Sequence, residues 1–119
     1  MKPLTYFLGV TLILVATVVS NARAGRVGGP LATTLDVPGG QSVYLDVPFV
    51  GGLPALVKIA GTGRTMMQVN LYDSDGHIAT GYGRWDQKTA FMNVYRSGTF
   101  RVEIINMGLY DAPVFVTTN

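Results

Sequence analysis

The stretch SVYLDVPF at residues 42–49 alternates strictly, with valine, leucine, valine and phenylalanine at every second position. Serine, tyrosine, aspartate and proline fill the positions between them. Successive side chains of a β-strand point to opposite faces, so this stretch has one apolar face and one mostly polar face. The stretch MQVNLY at 67–72 repeats the pattern. Both stretches predict strands of a sheet that buries one face and exposes the other.

Short apolar runs separated by glycine-rich turns continue this pattern through the rest of the chain. A spacing of roughly 8–12 residues between such runs is typical of a β-sandwich or barrel. We therefore predict an all-β, antiparallel, jelly-roll-like sandwich over residues 32–119, preceded by an N-terminal signal helix. The eight predicted strands are 33–37, 42–49, 56–60, 66–72, 77–82, 89–95, 99–105 and 113–117. The predicted core contains Val57, Ile59, Val69, Leu71, Val102 and Ile104.

The N-terminal segment has the features of an export signal. Lys2 precedes an uncharged, mostly apolar run at 7–19, and Ala22 and Ala24 supply small residues before a cleavage point. The run is shorter than the roughly 20 residues of a comfortable membrane span. We predict a signal peptide over 1–24, a flexible tether over 25–31 and a secreted or periplasmic domain. An uncleaved membrane anchor is the alternative for this segment.

The charge of the predicted domain limits the classes of partner that it can bind. From residue 25 onward seven basic residues balance seven acidic ones, and the chain has no cysteine. A protein that binds the phosphate backbone needs a basic surface, so a nucleic-acid partner is not expected. No membrane span is expected once the signal is removed.

Four segments, taken in their order along the chain, resemble the bacterial pre-peptidase C-terminal domain. An apolar strand is followed by one that ends in Tyr-Asp and a turn, then by a Gly-x-Phe-Arg-Val strand that ends at Asn, and finally by a closing strand. The resemblance implies a non-catalytic β-sandwich of the kind that follows secreted peptidases, and some relatives bind collagen or calcium. No peptidase accompanies it in these 119 residues, so the appended role is not carried over. The segments are LPALVKIAGTG (53–63), QVNLYDSDGHIAT (68–80), SGTFRVEIINMG (97–108) and VFVTT (114–118).

Residues that carry chemistry are few. His77 is the single histidine, and no G-x-S-x-G elbow or comparable nucleophile signature occurs in the sequence. We therefore predict that the protein is not an enzyme and has no cofactor, with His77 as an ordinary hairpin residue. Asp73 and Asp75 flank Ser74 in a turn, where their oxygens could bind calcium or cap their own backbone.

Aromatic residues in polar loops give the candidate binding site. Trp85 lies between two charged residues, Arg84 and Asp86, and Tyr82 lies nearby. Tyr110 precedes the last predicted strand. Exposed tryptophan and tyrosine anchor protein partners or stack on sugars. We predict that Tyr82, Arg84, Trp85 and Tyr110 bind a protein or an envelope glycan. The alternative is that Trp85 folds back to plug one end of the core.

Three classes of function follow from these observations. An exported binding or accessory domain fits best, because the domain is neutral, all-β and without a catalytic constellation. A structural or assembly protein of the cell envelope, pairing through an edge strand, is the second class. A small exported enzyme using His77 is the third.

Overall fold

The computed structural model describes residues 29–119, and these residues form nine β-strands and no helix. No segment of this described part is a helix long and apolar enough to cross a membrane. In chain order the strands are β1 (Ala32–Val37), β2 (Ser42–Phe49), β3 (Ala55–Gly61), β4 (Met67–Tyr72), β5 (Ile78–Thr80), β6 (Tyr82–Arg84), β7 (Gln87–Met92), β8 (Gly98–Asn106) and β9 (Ala112–Thr118).

The strands form two sheets that pack face to face. The five-stranded sheet has the order β1-β9-β3-β7-β6, and the four-stranded sheet has the order β2-β8-β4-β5. Every strand pair is antiparallel. The predicted all-β antiparallel sandwich is therefore confirmed for the described residues.

The core lies between the inward faces of the two sheets. All six side chains predicted for the core are fully buried. Val69 of β4 lies opposite Ile104 of β8 in the sheet register. The rings of Phe49 and Phe100 meet edge to face, with centroids 5.4 Å apart, which is a favoured aromatic geometry. Alternation in the sequence thus gives the correct inward face for these strands.

One predicted strand, 77–82, is wrong, because the chain changes sheets inside it. β5 pairs with β4 in one sheet, whereas β6 pairs with β7 in the other. The change occurs at Gly81, whose amide donates a 2.7 Å hydrogen bond to the carbonyl oxygen of Val69. A Cβ at Gly81 would collide with the side chain of Val69, so only glycine fits here. The sandwich therefore has nine strands instead of eight.

The N-terminal predictions lie mostly outside the described residues. This is true of the signal peptide at 1–24 and of tether residues 25–28. Leu31 exchanges hydrogen bonds of 3.0 Å with Thr118 and packs partly against the core. Leu31, the last residue of the predicted tether, is therefore attached to the sandwich.

Candidate functional site

Four loops meet at one end of the sandwich: β1–β2, β3–β4, β6–β7 and β8–β9. Backbone hydrogen bonds join three of them in series. The amide of Met67 donates to the carbonyl oxygen of Trp85 at 3.1 Å, and the amide of Met107 donates to that of Met66 at 2.8 Å. The loops that carry Trp85 and Tyr110 therefore lie at the same end, with the β3–β4 loop between them.

Trp85 occupies a strained position in the tight turn between β6 and β7. Arg84 pairs with Gln87, so Trp85 and Asp86 are the two central residues of a hairpin turn. The φ of Trp85 is +54°, and it is the one non-glycine residue among 29–119 with a positive φ. A two-residue turn with positive φ at its first central position is the type II′ pattern, which normally has glycine there. A bulky residue at such a position costs on the order of 1–3 kcal/mol, and such strain concentrates at functional sites.

The Trp85 ring is fixed but remains exposed. Its Nε1 donates a 3.2 Å hydrogen bond to the carbonyl oxygen of Gly63, and the side chain is 53% exposed. The neighbouring Asp86 is buried, and its carboxylate accepts a hydrogen bond from the amide of Gly63. Both contacts tie the turn to the β3–β4 loop. The ring therefore lies on the surface and does not plug the core.

The β8–β9 loop is held by a buried amide side chain. Asn106 has no solvent exposure. Its Nδ2 donates to the carbonyl oxygens of Val37 at 2.9 Å and Tyr110 at 2.7 Å. Its Oδ1 accepts from the hydroxyl of Thr65 at 2.9 Å and the amide of Gly108 at 3.0 Å. Both protons and both lone pairs of the amide are satisfied, so the loop has one well-defined conformation.

Two further contacts restrict this loop. The amide of Gly39 donates a 2.9 Å hydrogen bond to Asp111 Oδ1, which joins the loop to the β1–β2 turn. A Cβ at Gly108 would collide with the hydroxyl of Thr65, so the backbone approaches that side chain as only glycine allows. The braced loop presents Met107, Leu109 and Tyr110 outward, with exposed fractions of 57%, 90% and 61%.

An arginine of the β3–β4 loop contacts one of the two aromatic residues and adjoins the glycine that holds the other. The guanidinium carbon of Arg64 lies 5.4 Å from the centre of the Tyr110 ring, within cation–π range. Arg64 follows Gly63, the residue that accepts the Trp85 hydrogen bond. One surface thus combines a central cation with large apolar side chains. We call it the aromatic end, defined by Arg64, Trp85, Met107, Leu109 and Tyr110.

Tyr82 and Arg84, which we predicted to share a binding site with Trp85 and Tyr110, lie outside the aromatic end. They pair with Thr89 and Gln87, whose positions face outward from the five-stranded sheet. Both belong to the outer face of that sheet, beside the aromatic end. Of the four predicted binding residues, the structure brings together Trp85 and Tyr110.

Sequence reasoning missed Arg64, Met107 and Leu109. The signal available for the last two was the run MGLY at 107–110, just beyond a predicted strand, where a solvated loop normally has polar residues. For Arg64 the sequence offered no signal, because its contact with Tyr110 depends on how distant loops meet.

The turn between β4 and β5, at the opposite end, holds the predicted calcium ligands. Ligand atoms of Asp73, Asp75 and His77 lie within 4.8 Å of one another. Asp73 Oδ1 accepts hydrogen bonds from the amides of Asp75 at 2.9 Å and His77 at 2.8 Å. Asp73 Oδ2 lies 2.8 Å from His77 Nδ1. Desolvation acts to raise the pKa of Asp73, but the hydrogen bonds from His77 and Asp75 outweigh it and lower that pKa.

Asp75 also has a protein partner. Both of its carboxylate oxygens accept hydrogen bonds from the guanidinium of Arg96, at 2.9 and 2.8 Å. A calcium ion at this turn would compete with that guanidinium, while Asp73 acts mainly as a cap of its own turn. Calcium binding by Asp73 and Asp75 stays a prediction.

Comparison with known proteins shows which solved structures share this fold. No protein-family model matches the sequence, and no curated protein matches it. Among solved structures, the chain is similar to the pre-peptidase C-terminal domain of a collagenase from Bacillus anthracis. The TM-score is 0.65 at 13% identity, with 85% of this chain and 99% of that chain covered.

A second solved structure has the same architecture. It is PliG of Aeromonas hydrophila, a periplasmic lysozyme inhibitor of g-type lysozyme. The TM-score is 0.63 at 14% identity, with 92% of this chain and 94% of that chain covered. At such identities the similarity establishes the fold alone. The resemblance indicated by the sequence motifs is confirmed: this chain has the fold of a pre-peptidase C-terminal domain, shared with a periplasmic inhibitor protein.

Proposed function

We infer that the chain is an exported, non-catalytic domain that binds a secreted or periplasmic protein through its aromatic end. The observation that carries this proposal is the rigid display of apolar side chains in the β8–β9 loop. A loop braced by a fully satisfied buried amide loses little conformational entropy on binding. Aromatic anchors surrounded by polar groups are typical of the energetic centre of a protein interface.

A protein partner is favoured over a glycan. The guanidinium of Arg64 already occupies one face of the Tyr110 ring, which leaves less aromatic surface on which a sugar could stack. Leu109 and Met107 project as flexible aliphatic groups, which suit an apolar pocket in a protein. The predicted domain from residue 25 onward has equal numbers of acidic and basic residues. Affinity must therefore come mainly from local desolvation.

Catalysis is not part of the proposal. The His77 ring is held by Asp73 in an exposed turn. Among the described residues, no hydrogen bond joins His77 to a serine, and the hydroxyl of Ser97 instead accepts from the amide of Gly51 at 2.8 Å. A nucleophile needs a base within hydrogen-bond reach. Export itself is tested by N-terminal sequencing of the exported protein, which should begin at Gly25.

The partner class to examine first is a g-type lysozyme, because a protein of the same fold inhibits that enzyme. The purified full chain should bind g-type lysozyme in titration calorimetry and slow its lysis of bacterial cells. Failure to bind it at tens of micromolar would contradict the lysozyme assignment. Co-sedimentation with purified peptidoglycan at the same concentration would contradict a protein partner. A concentration-dependent mass without binding would favour the assembly role.

A loop variant separates binding from folding. Leu109 is 90% exposed, so Leu109→Asp should leave the free energy of unfolding within about 0.5 kcal/mol of the wild type. Its affinity for lysozyme should fall at least tenfold. Ile78→Asp introduces the same charge at a 59% exposed residue at the other end of the sandwich. That control should bind as the wild type does.

A further inference from the structure

A second surface lies on the outward face of the four-stranded sheet. The register of β2, β8 and β4 aligns two rows of polar side chains across this face. A shallow cavity of about 520 Å³ lies over most of these side chains, and Asp73 and Ser74 also line it. The rows are Tyr44–Glu103–Asn70 and Asp46–Arg101–Tyr72.

Glu103 collects three hydrogen bonds at the centre of this face. The hydroxyl of Tyr72 donates to its Oε1 at 2.6 Å, and the hydroxyl of Tyr44 donates to its Oε2 at 3.1 Å. The Nδ2 of Asn70 donates to Oε1 at 3.1 Å. All three donors are neutral, so none of them balances the negative charge of the carboxylate. No basic side chain of residues 29–119 forms a salt bridge with Glu103.

The same hydrogen bonds determine what the face offers to a ligand. A tyrosine hydroxyl has one proton, and each of these two protons is directed at Glu103. Toward a ligand, each hydroxyl oxygen can therefore act only as an acceptor. The hydrogen bond to Glu103, with desolvation second, raises the pKa of Tyr72 to about 12, so this hydroxyl stays protonated near neutral pH. The centre of the face thus presents acceptors and negative charge.

Among the residues that the structure describes, the one cation on this face is already engaged. Arg101 Nε donates to Asp46 Oδ1 at 3.0 Å, and its guanidinium lies 5.7 Å from the centre of the Tyr44 ring. Asp46 thus has a cationic partner, whereas no basic side chain of the described residues pairs with Glu103. The Arg101–Tyr44 contact is one example on this face of a guanidinium lying against a tyrosine ring.

We propose that Tyr44, Tyr72 and Glu103 form a pocket for a cationic side chain, arginine or lysine, presented by a protein partner. We call it the tyrosine–glutamate pocket. An ammonium or guanidinium has only hydrogen-bond donors. It therefore matches a surface on which the tyrosine and asparagine donors already point at Glu103. Charge-assisted hydrogen bonds to the carboxylate and cation–π contact with Tyr72 would hold it.

Two other occupants fit less well. A hard metal ion needs six or more oxygen ligands, and among the described residues the metal-competent group is Asp73, Asp75 and His77, without Glu103. A neutral sugar would leave the charge of Glu103 without a cationic partner, and Arg101 already occupies one face of the Tyr44 ring. Tyr72 is the last residue of β4, next to the end opposite the aromatic end. The pocket is therefore independent of the proposed lysozyme contact.

Small amide probes test this pocket by backbone amide NMR of the full chain. N-acetyl-arginine amide and N-acetyl-lysine amide should shift the resonances of Tyr44, Tyr72 and Glu103 at millimolar concentration. N-acetyl-citrulline amide, which has nearly the shape of the arginine probe without its charge, should not. The two charged probes distinguish a guanidinium site from an ammonium site, and binding of either supports the proposal. Equal shifts with citrulline amide, or none with either cation, would overturn it.

Variants locate the binding on Glu103. Glu103→Gln should weaken binding of the charged probes at least fivefold, and Tyr72→Phe should weaken it to a smaller extent. Asp36→Asn removes a charge from the other sheet and should bind as the wild type does. Unchanged binding in both pocket variants, saturable shifts of these resonances by calcium chloride, or saturable shifts by chitotriose would each contradict the proposal. If Glu103→Gln does not fold, Tyr72→Phe alone decides the outcome.

Discussion

The indole Nε1 of Trp85 donates a 3.2 Å hydrogen bond to the carbonyl oxygen of Gly63, so the exposed ring is anchored to a neighbouring loop. The backbone of Trp85 meanwhile has a φ of +54°, a conformation that glycine adopts without cost. The chain thus has a tryptophan where the turn favours glycine. The strained backbone is the cost of holding the anchored ring at this position.

Substitution at Trp85 should reveal that strain. Trp85→Gly relieves the positive φ, whereas Trp85→Ala keeps it and loses the ring contacts. We expect Trp85→Gly to be more stable than Trp85→Ala by about 1 kcal/mol, because left-handed backbone costs a non-glycine residue roughly that much. Urea denaturation of the two variants gives the difference. An alanine variant as stable as the glycine variant would show that the turn is unstrained.

The β8–β9 loop should depend on Asn106. Asn106→Ala leaves the buried carbonyl oxygen of Val37 and the hydroxyl of Thr65 without their partner. Unsatisfied buried polar groups cost about 1–3 kcal/mol each, so the free energy of unfolding should fall by more than about 2 kcal/mol. The exposed Asn93→Ala is the matched control and should change stability by less than about 0.5 kcal/mol. Equal stabilities of the two variants would show that the amide does not hold the loop.

The hydrogen bond between Tyr72 and Glu103 should make stability depend on alkaline pH. The pKa of Tyr72 is raised from 10.0 to about 12, mainly by that hydrogen bond, so the folded state holds the phenolic proton more tightly than the unfolded state does. This contribution is complete below pH 10 and is lost as the pH rises toward 12. The free energy of unfolding should therefore fall across this window.

The control for this pH dependence is Glu103→Gln. Its stability should fall less steeply between pH 10 and 12 than that of the wild type or of Asp36→Asn. Urea denaturation at several alkaline pH values measures the slopes. A slope in Glu103→Gln equal to that of the wild type would show that the carboxylate does not control the Tyr72 proton.

Much of the fold is predictable from the sequence because its strands bury one face. Where polar and apolar residues alternate, as at 42–49, a slip of one residue would expose the whole apolar face, so the inward side is unambiguous. The sheet change at Gly81 is not predictable in this way. Alternation says which side of a strand is buried but not which neighbour the strand pairs with.

The candidate site was predictable only in part. Trp85 and Tyr110 stood out as aromatic residues in polar loops. The contact of Arg64 with Tyr110 and the buried network of Asn106 depend on contacts between loops distant in sequence. The same limit applies to Glu103, where the sequence gives a solvent-facing strand position and only the sheet register brings two tyrosine hydroxyls to it.

The buried pair Val69 and Ile104 tests the core directly. Both side chains are fully buried and lie opposite each other on β4 and β8. Truncation of either to alanine should lower the free energy of unfolding by roughly 1–4 kcal/mol. The double variant should depart from additivity, because the two residues are neighbours. Losses below about 0.5 kcal/mol at both sites, as at surface residues, would contradict the register.

The most direct test of the proposed function is the affinity of Trp85→Gly for g-type lysozyme, measured by titration calorimetry beside the wild type. Phe115→Ala, which truncates an exposed aromatic residue of β9 on the outer face of the five-stranded sheet, is the control. We predict that Trp85→Gly binds at least about 30-fold more weakly, since loss of an interface tryptophan typically costs 2 kcal/mol or more. Its stability should be undiminished, and Phe115→Ala should bind normally. Wild-type affinity in Trp85→Gly would contradict the account.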